Sequence, residues 1–269
     1  MFTRVNNFVQ LINISSALIY PTKCLGCEAM NDSLQGGVAC LNCWNISETE
    51  HINFDLCEKC EAFLPRLSHS SQTRPCEHCQ NLSFSAARSC GSYKGAFREA
   101  ILRLKASPQM PLRLLDNLAE AFHRLPNSEQ ISIIIPVPLH RERFESRGFN
   151  QAEVIAKALS KSLGIRTQSN CVIRQKATER HRAGMDSEKR SQLIKGAFVV
   201  RASKIIYARD ILLIDDVMTS GSTAHELTET LLKSGATSVS LLTIARANIW
   251  GGSQQESSQP SDETVRKLP

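Results

Sequence analysis

The sequence predicts an α/β protein, a parallel twisted sheet covered by helices and preceded by a small cysteine-rich domain. Three observations predict it. Eight of the ten cysteines form Cys-x-x-Cys knuckles confined to the first third of the 269 residues. After them, β-branched apolar runs alternate with segments of helical period, the pattern of a parallel sheet with crossover helices. One of those runs ends in two adjacent aspartates followed by a loop of small hydroxylated residues.

The composition, 42% hydrophobic and 22% charged, is that of an ordinary globular protein and excludes disordered, collagen-like and fibrous classes. No apolar run approaches the roughly 20 residues that span a bilayer, so no membrane span is expected. Residues 1–20 read as a short amphipathic helix with Phe8, Leu11, Ile12, Leu18 and Ile19 on its apolar face. Asn6, Asn7, Gln10, Asn13, Ser15 and Ser16 interrupt the stretch, and no small-x-small cleavage site precedes Cys24, so a signal peptide is the weaker reading.

Residues 21–90 read as a double zinc ribbon. The knuckles are Cys24/Cys27, Cys40/Cys43, Cys57/Cys60 and Cys76/Cys79, separated by 12, 13 and 15 residues. A two-residue spacer turns both thiolates of a knuckle toward one ion, and two knuckles complete a tetrahedral sulfur cage suited to zinc. A segment this rich in Gly, Pro, Asn and Ser buries too little apolar surface to fold alone, so the metal supplies folding free energy. Disulfides fit less well because nothing directs export, and a redox CxxC would not occur four times. Spacing does not decide between tandem and alternating pairing; loops of 12 and 15 residues suit tandem hairpins. His78, inside the last knuckle, reads as a bystander beside a complete set of thiolates. Cys90 and Cys171 read as core residues.

Residues 91–247 carry the sheet. Ile131–Pro136 is a buried strand. The stretch 150–163 places Ala152, Ile155, Ala156, Leu159 and Leu163 on one helical face, with Gly164 at its C-terminal cap. Further strands are expected over 197–200, 210–215 and 238–244. A helix is expected over 222–234, with Glu229 and Lys233 paired and Gly235 closing it. Residues 248–269, rich in Gly, Ser, Gln and Pro, read as a disordered tail. Tyr93 and Phe97 read as core, and no role is assigned to His123 or His225.

The stretch from Ile211 to Thr223 concentrates the chemistry. In an open α/β sheet, ligands bind beyond the carboxyl ends of the strands. Successive N–H groups and hydroxyls of Thr219, Ser220, Gly221, Ser222 and Thr223, at a helix N-terminus, suit a dianionic phosphate. Asp215 and Asp216 stand where a sugar on that phosphate would present vicinal hydroxyls. Neither GxxxxGK[ST] nor GxGxxG occurs. The plain alternative is a capped helix after an ordinary strand end.

These thirteen residues resemble the phosphoribosyl-pyrophosphate (PRPP) motif of type I phosphoribosyltransferases. Together with Pro136-Val137-Pro138-Leu139, Arg147-Gly148-Phe149-Asn150-Gln151 and the knuckles, the chain resembles the ComF/GntX family from about Tyr20 to Arg246. The resemblance implies a sheet of phosphoribosyltransferase type and a cytoplasmic role in DNA uptake during natural competence, alongside other uptake proteins. It implies as ligand PRPP or a related ribose 5-phosphate compound bound with magnesium. It further implies a first phosphate loop after Leu104-Lys105, so that Lys105 joins Asp215 and Asp216 as catalytic residues. The chain departs from the family beyond that loop, where Ala106-Ser107-Pro108-Gln109 lacks the aromatic-basic-Gly run. It departs again in the mobile hood, where Thr178 is followed by His181 in place of Gln, Arg190 is shifted by one residue and Leu193 replaces Asn.

Charge distribution adds a second line. The chain carries +6 overall, yet between Arg141 and Lys195 lie 13 Lys/Arg and 6 Asp/Glu, an excess of +7. Arg141, Arg143 and Arg147, with His140, follow a strand end and are candidates for contacts to a nucleic-acid backbone; a solvated loop is the alternative. Two functions therefore stand side by side: a module that holds a ribose phosphate and handles single-stranded DNA, and an active phosphoribosyltransferase with no direct DNA role.

Overall fold

The computed structural model describes residues 22–31, 37–49, 55–64, 75–176 and 194–247. The expected N-terminal helix (1–20), the tail (248–269) and the hood positions Thr178, His181, Arg190 and Leu193 lie outside the described residues.

The cysteine-rich part contains helix α1 (Leu41–Thr49) and a minimal antiparallel pair, β1 (Asp55–Leu56) with β2 (Phe63–Leu64). The sheet part then runs β3 (Ala87–Ser92), α2 (Gly95–Ala106), α3 (Leu112–His123), β4 (Ile131–Pro136), α4 (Arg141–Arg147), α5 (Gln151–Leu163) and β5 (Arg166–Thr167). It continues through β6 (Val172–Arg174), β7 (Phe198–Val200), α6 (Ser203–Ile206), β8 (Asp210–Met218), α7 (Ser222–Lys233) and β9 (Ser238–Arg246). Five strands form one parallel sheet in the order β3-β9-β8-β4-β5. The central strands are apolar on both faces, as a sheet covered on both sides requires. Ile134, Leu212, Ile214, Leu242 and Ile244 pack with α2, α3 and α5. Ile133, Ile135, Ile211, Leu213 and Leu241 pack with α7 and the antiparallel β6–β7 pair.

Two expectations are corrected. The strand expected over 197–200 is β7, which leaves the sheet to pair antiparallel with β6. The strand expected to end at Asp215 runs on to Met218, because Asp215, Val217 and Met218 still pair with Thr243, Ala245 and Arg246 of β9. The aspartates therefore belong to a continuous ladder, which fixes their backbones.

The cysteine-rich part does not stand apart as a body with its own core. Cys24, Val38, Ala39, Cys40 and the fully buried Trp44 belong to the apolar cluster of α2, α3 and α5. Trp44 meets Phe97 edge-on at a centroid distance of 5.5 Å. Ser47 Oγ accepts the Ala96 N–H at 3.0 Å, and Arg113 of α3 grips Glu48 through two nitrogens at 2.7 and 2.5 Å. Cys57, Cys60, Cys76, Cys79 and Phe84 instead join the cluster on the opposite face of the sheet. Residue 90, the expected boundary, lies inside β3, a strand of the main sheet. Short ribbons with little apolar surface of their own obtain their cores by sharing those of the sheet.

The topology sets the site. From β4 the chain passes through α5 outward to β5, whereas from β8 it passes through α7 to β9 in the other direction. Because α5 and α7 lie on opposite faces, a crevice opens between the carboxyl ends of β4 and β8, where ligands bind in such sheets.

Candidate functional site

Asp215 and Asp216 stand near the carboxyl end of β8 at that crevice, shortly before the strand closes at Met218. Asp216 is buried and receives Lys105 Nζ, from the last turn of α2, at 3.2 Å. Burial works against its ionisation, but the Lys105 ammonium and, behind it, Arg147 hold the Asp216 carboxyl below its ordinary value. The same pairing with Asp216 raises Lys105. Asp215 goes the other way: burial, reinforced by the charge of Asp216, lifts its carboxyl well above the ordinary range. The two adjacent carboxyls are thus pushed in opposite directions, and both offer oxygens that can accept hydrogen bonds from sugar hydroxyls.

The Arg147–Gln151 stretch connects this pair to β4. Gly148, at φ +80°, ends α4 in the left-handed conformation. Asn150 then caps α5 by accepting the Ala152 N–H at 3.1 Å and donates to the Val137 carbonyl at 3.0 Å. That fastening places Gln151, whose Nε2 donates to Asp216 at 3.4 Å while its Oε1 accepts from Arg147 at 2.5 Å. Lys105 and Gln151 thus meet one carboxylate, with Arg147 behind Gln151 acting on it through charge.

The three candidate backbone-binding arginines separate. In α4, Arg143 and Arg147 share a face at i,i+4. Arg147 reaches Gln151, and the Arg143 charge acts on Arg174 of β6, which also feels Asp215. Arg141 lies outward, its side chain 85% exposed, and pairs with Glu145 at 2.6 Å. Arg174 stacks on Phe198 with its guanidinium carbon 5.6 Å from the ring centroid. Nothing in the local sequence of Arg174 marks a β6 residue as a neighbour of Asp215.

The loop from Thr219 to Thr223 turns from β8 into α7. Gly221, at φ +76°, is the helix N-cap, and Ser220 Oγ lies 2.9 Å from Ser222 Oγ. A Cβ on Gly221 would come within 2.9 Å of both Leu82 Cδ1 and Met218 Cε. The glycine is therefore needed for its conformation and for close approach to the second ribbon. His78, read as a bystander, makes a hydrogen bond from Nε2 to the Ser220 carbonyl at 2.8 Å. His225, to which no role was given, accepts the Ser83 N–H at 3.1 Å, and Ser83 Oγ also bonds Glu229. Arg246, almost fully buried, donates from one terminal nitrogen to the Cys60 carbonyl at 3.0 Å and contacts Met218 Sδ at 2.9 Å. The His78 and Ser83 contacts each join residues 142 positions apart, beyond any signal in local spacing.

The cysteines gather in tandem: Cys24, Cys27, Cys40 and Cys43 in one group, Cys57, Cys60, Cys76 and Cys79 in the other, with the sulfurs of each group within 4.8 Å of one another. Sulfur–sulfur distances of 3.7 and 3.8 Å in the first group, and 3.5 and 3.6 Å in the second, match the edge of about 3.8 Å that follows from zinc–sulfur bonds of about 2.3 Å. Backbone N–H groups of Cys40 and Cys76 donate to Cys24 and Cys57 sulfur at 3.3 and 3.1 Å, as they would to thiolates. No cysteine is in a disulfide.

Without a cation these groups cannot ionise together. The Cys60 thiol, supported by the backbone, favours one thiolate at Cys57, lowered to about 4, while Cys60 itself is raised and burial pushes Cys79 up to about 12. In the first group, backbone N–H donors overcome burial to lower Cys24 to about 6, while burial raises Cys43. Four thiolates at these distances need a central divalent ion, so the donor set and its spacing fit zinc.

No family model matches the chain. It is homologous to Competence protein F of Haemophilus influenzae, with 40% identity over 115 residues that cover 42% of this chain and 50% of that one. It thus spans about half the length of that relative. Competence protein ComFC of Bacillus subtilis is 27% identical over 198 residues, 71% of this chain and 72% of that one. Among solved structures, the chain is similar to glutamine PRPP amidotransferase from B. subtilis, with 14% identity, a TM-score of 0.34, and coverage of 64% of this chain and 33% of the other. Among the described residues, no helix is long and apolar enough to cross a membrane.

Proposed function

We propose that this homologue of Competence protein F and ComFC binds a ribose 5-phosphate group, as in PRPP with magnesium, and handles single-stranded DNA during uptake in the cytoplasm. The observation that carries the reading is the joining of Asp215 and Asp216, with Lys105 3.2 Å from Asp216, to a loop of small residues capping α7 at the crevice of the sheet. The loop from Thr219 to Thr223 receives the phosphate through N–H groups and hydroxyls, aided by the helix dipole. Asp216, whose ionised form Lys105 favours, accepts from a sugar hydroxyl, and Asp215, whose ionised form burial disfavours, stands beside it for the neighbouring hydroxyl. Lys105 adds positive charge where a diphosphate would lie. Magnesium, a hard cation usually bound by carboxylate and phosphate oxygens, would arrive with that diphosphate and has the two aspartates as protein donors.

Arg143 and Arg147 extend the basic character of the crevice along α4, which suits the following phosphates of a strand. Zinc in both cysteine tetrads holds the ribbons on the two faces of the sheet. Titration of the zinc-loaded protein with PRPP and magnesium, and with 5′-phosphorylated single-stranded DNA, alone and in competition, tests the reading. Mutual displacement, with steep salt dependence for the strand only, is expected. PRPP binding and base-dependent pyrophosphate release without strand binding would establish instead an active phosphoribosyltransferase with no DNA role. Binding of neither ligand would refute the site.

A further inference from the structure

The second cysteine tetrad and the strip after it are fastened at four points to the phosphate loop and to its flanking strand and helix, β8 and α7. His78 bonds the Ser220 carbonyl, Leu82 packs against Gly221, Ser83 bonds His225 and Glu229, and Arg246 joins the Cys60 carbonyl to Met218. Lys59 Nζ, from between Cys57 and Cys60, donates to the Leu82 carbonyl at 2.6 Å and keeps the strip after Cys79 against its own ribbon. The first tetrad makes its described attachments elsewhere, through Trp44, Ser47 and Glu48 to α2 and α3.

Of these four points, the His78 contact bears most directly on anion binding. A carbonyl accepts but cannot donate, so His78 Nε2 carries the proton in this bond. In a planar trans peptide the C=O and the following N–H point in opposite directions. Holding the Ser220 oxygen toward His78 therefore turns the Gly221 N–H away from the ribbon, to the opposite side of the loop. The peptide next to a glycine is the one most easily reoriented, since glycine tolerates either sign of φ. His78 itself is held between Cys76 and Cys79, so its position depends on the knuckle's closure around an ion.

We propose that His78 is a positioning residue of the phosphate loop, through which the metal-bound state of the second tetrad sets the orientation of the Ser220–Gly221 peptide and hence the affinity for a phosphate monoester. This rests on the phosphate-site reading above. By linkage, phosphate ligand and metal at this tetrad stabilise one another, and the coupling runs equally in both directions.

The experiment uses the full chain loaded with zinc, with His78→Ala and His78→Gln as variants; Gln keeps an N–H donor of similar reach. The Gly221 amide resonance is recorded without ligand, zinc is measured by metal analysis, and ribose 5-phosphate binding by calorimetry. His78→Ala is expected to keep both zinc ions, shift the Gly221 amide, and weaken ribose 5-phosphate about three- to tenfold, the usual worth of one hydrogen bond. His78→Gln should return the amide toward its original position and bind within about twofold of the parent. Ribose 5-phosphate should also slow zinc release to a chelator from the tetrad containing Cys57, and this slowing should vanish in His78→Ala. An unmoved Gly221 amide in His78→Ala overturns the positioning role whether or not the ligand binds. A shifted amide with unchanged affinity overturns the link to affinity. Failure of the parent protein itself to bind ribose 5-phosphate removes the phosphate-site reading, and the proposed link to affinity with it.

Discussion

Replacing Lys105 with Met isolates the interaction on which the candidate site is built. The ammonium lies 3.2 Å from Asp216 Oδ2, with side chains 26% and 11% exposed. Removing one partner of a fully buried pair costs about 3–5 kcal/mol, since a charge is left without compensation. Partial exposure of Lys105 and the remaining charge of Arg147 reduce this to about 2–3 kcal/mol at neutral pH. The sign with pH follows from the two shifts. Asp216 is lowered in the folded protein, so its stabilisation is present above its unfolded value and lost as pH falls through the folded one. Lys105 is raised, so its contribution is complete below its unfolded value and lost only as pH rises through the folded one. The parent pair is therefore indifferent to pH between 5.5 and 7.5, a range of about two units between those limits. Without Lys105, the burial that works against Asp216 ionisation is less opposed, so its carboxyl rises, and the penalty, greatest at high pH, shrinks as protonation neutralises it. Urea unfolding of the zinc-loaded proteins at pH 7.5 and 5.5 should show the gap between parent and variant narrowing at the lower pH. A gap that stays constant or widens, or one below about 0.5 kcal/mol at pH 7.5, would refute the pairing.

Other consequences are equally direct. Gly221→Ala forces a left-handed residue and a contact of 2.9 Å with Leu82 and Met218, so a loss of at least about 1–2 kcal/mol is expected in thermal or denaturant unfolding, with weaker ribose 5-phosphate binding. Metal analysis of the purified protein should find about two zinc ions per chain, falling to about one in Cys76→Ser while the first tetrad keeps its ion. Arg141→Ala should leave single-strand affinity almost unchanged, because that side chain turns outward to Glu145, whereas Arg143→Ala and Arg147→Ala should each reduce the slope of log K against log salt by about 0.7. Equal effects at all three positions would contradict the division of the faces of α4.

What local pattern controls was legible in the sequence. The knuckle spacing announced two sulfur cages, because a two-residue spacer acts within one turn of chain. Asn150 and Gly164 announced the ends of α5, where Asn150 caps through Ala152 N–H and Gly164 adopts φ +73°. The apolar run before Asp215 announced a buried strand, though not its continuation to Met218, which depends on pairing with β9. The departure of β7 from the sheet was likewise hidden, since a three-residue apolar run suits a hairpin as well as a ladder.

The sequence by itself determined which chemical groups the protein has and the order in which strands and helices present them: eight thiolates in four knuckles, two aspartates at a strand end, a small-residue loop and a basic excess. Only the tertiary structure decided that Asp215 and Asp216 carry opposed shifts, since that depends on Lys105, 111 positions from Asp216, meeting one of them and not the other. Only it decided that the two ribbons share the cores of opposite sheet faces, that His78 bonds Ser220, that Arg174 comes near Asp215, and that Arg246 joins Cys60 to Met218. Periodicity and capping are set by neighbours within a turn, and so are written in the chain. Ionisation and docking are set by whatever charge or surface folding brings near, and that is known only once the chain has closed on itself.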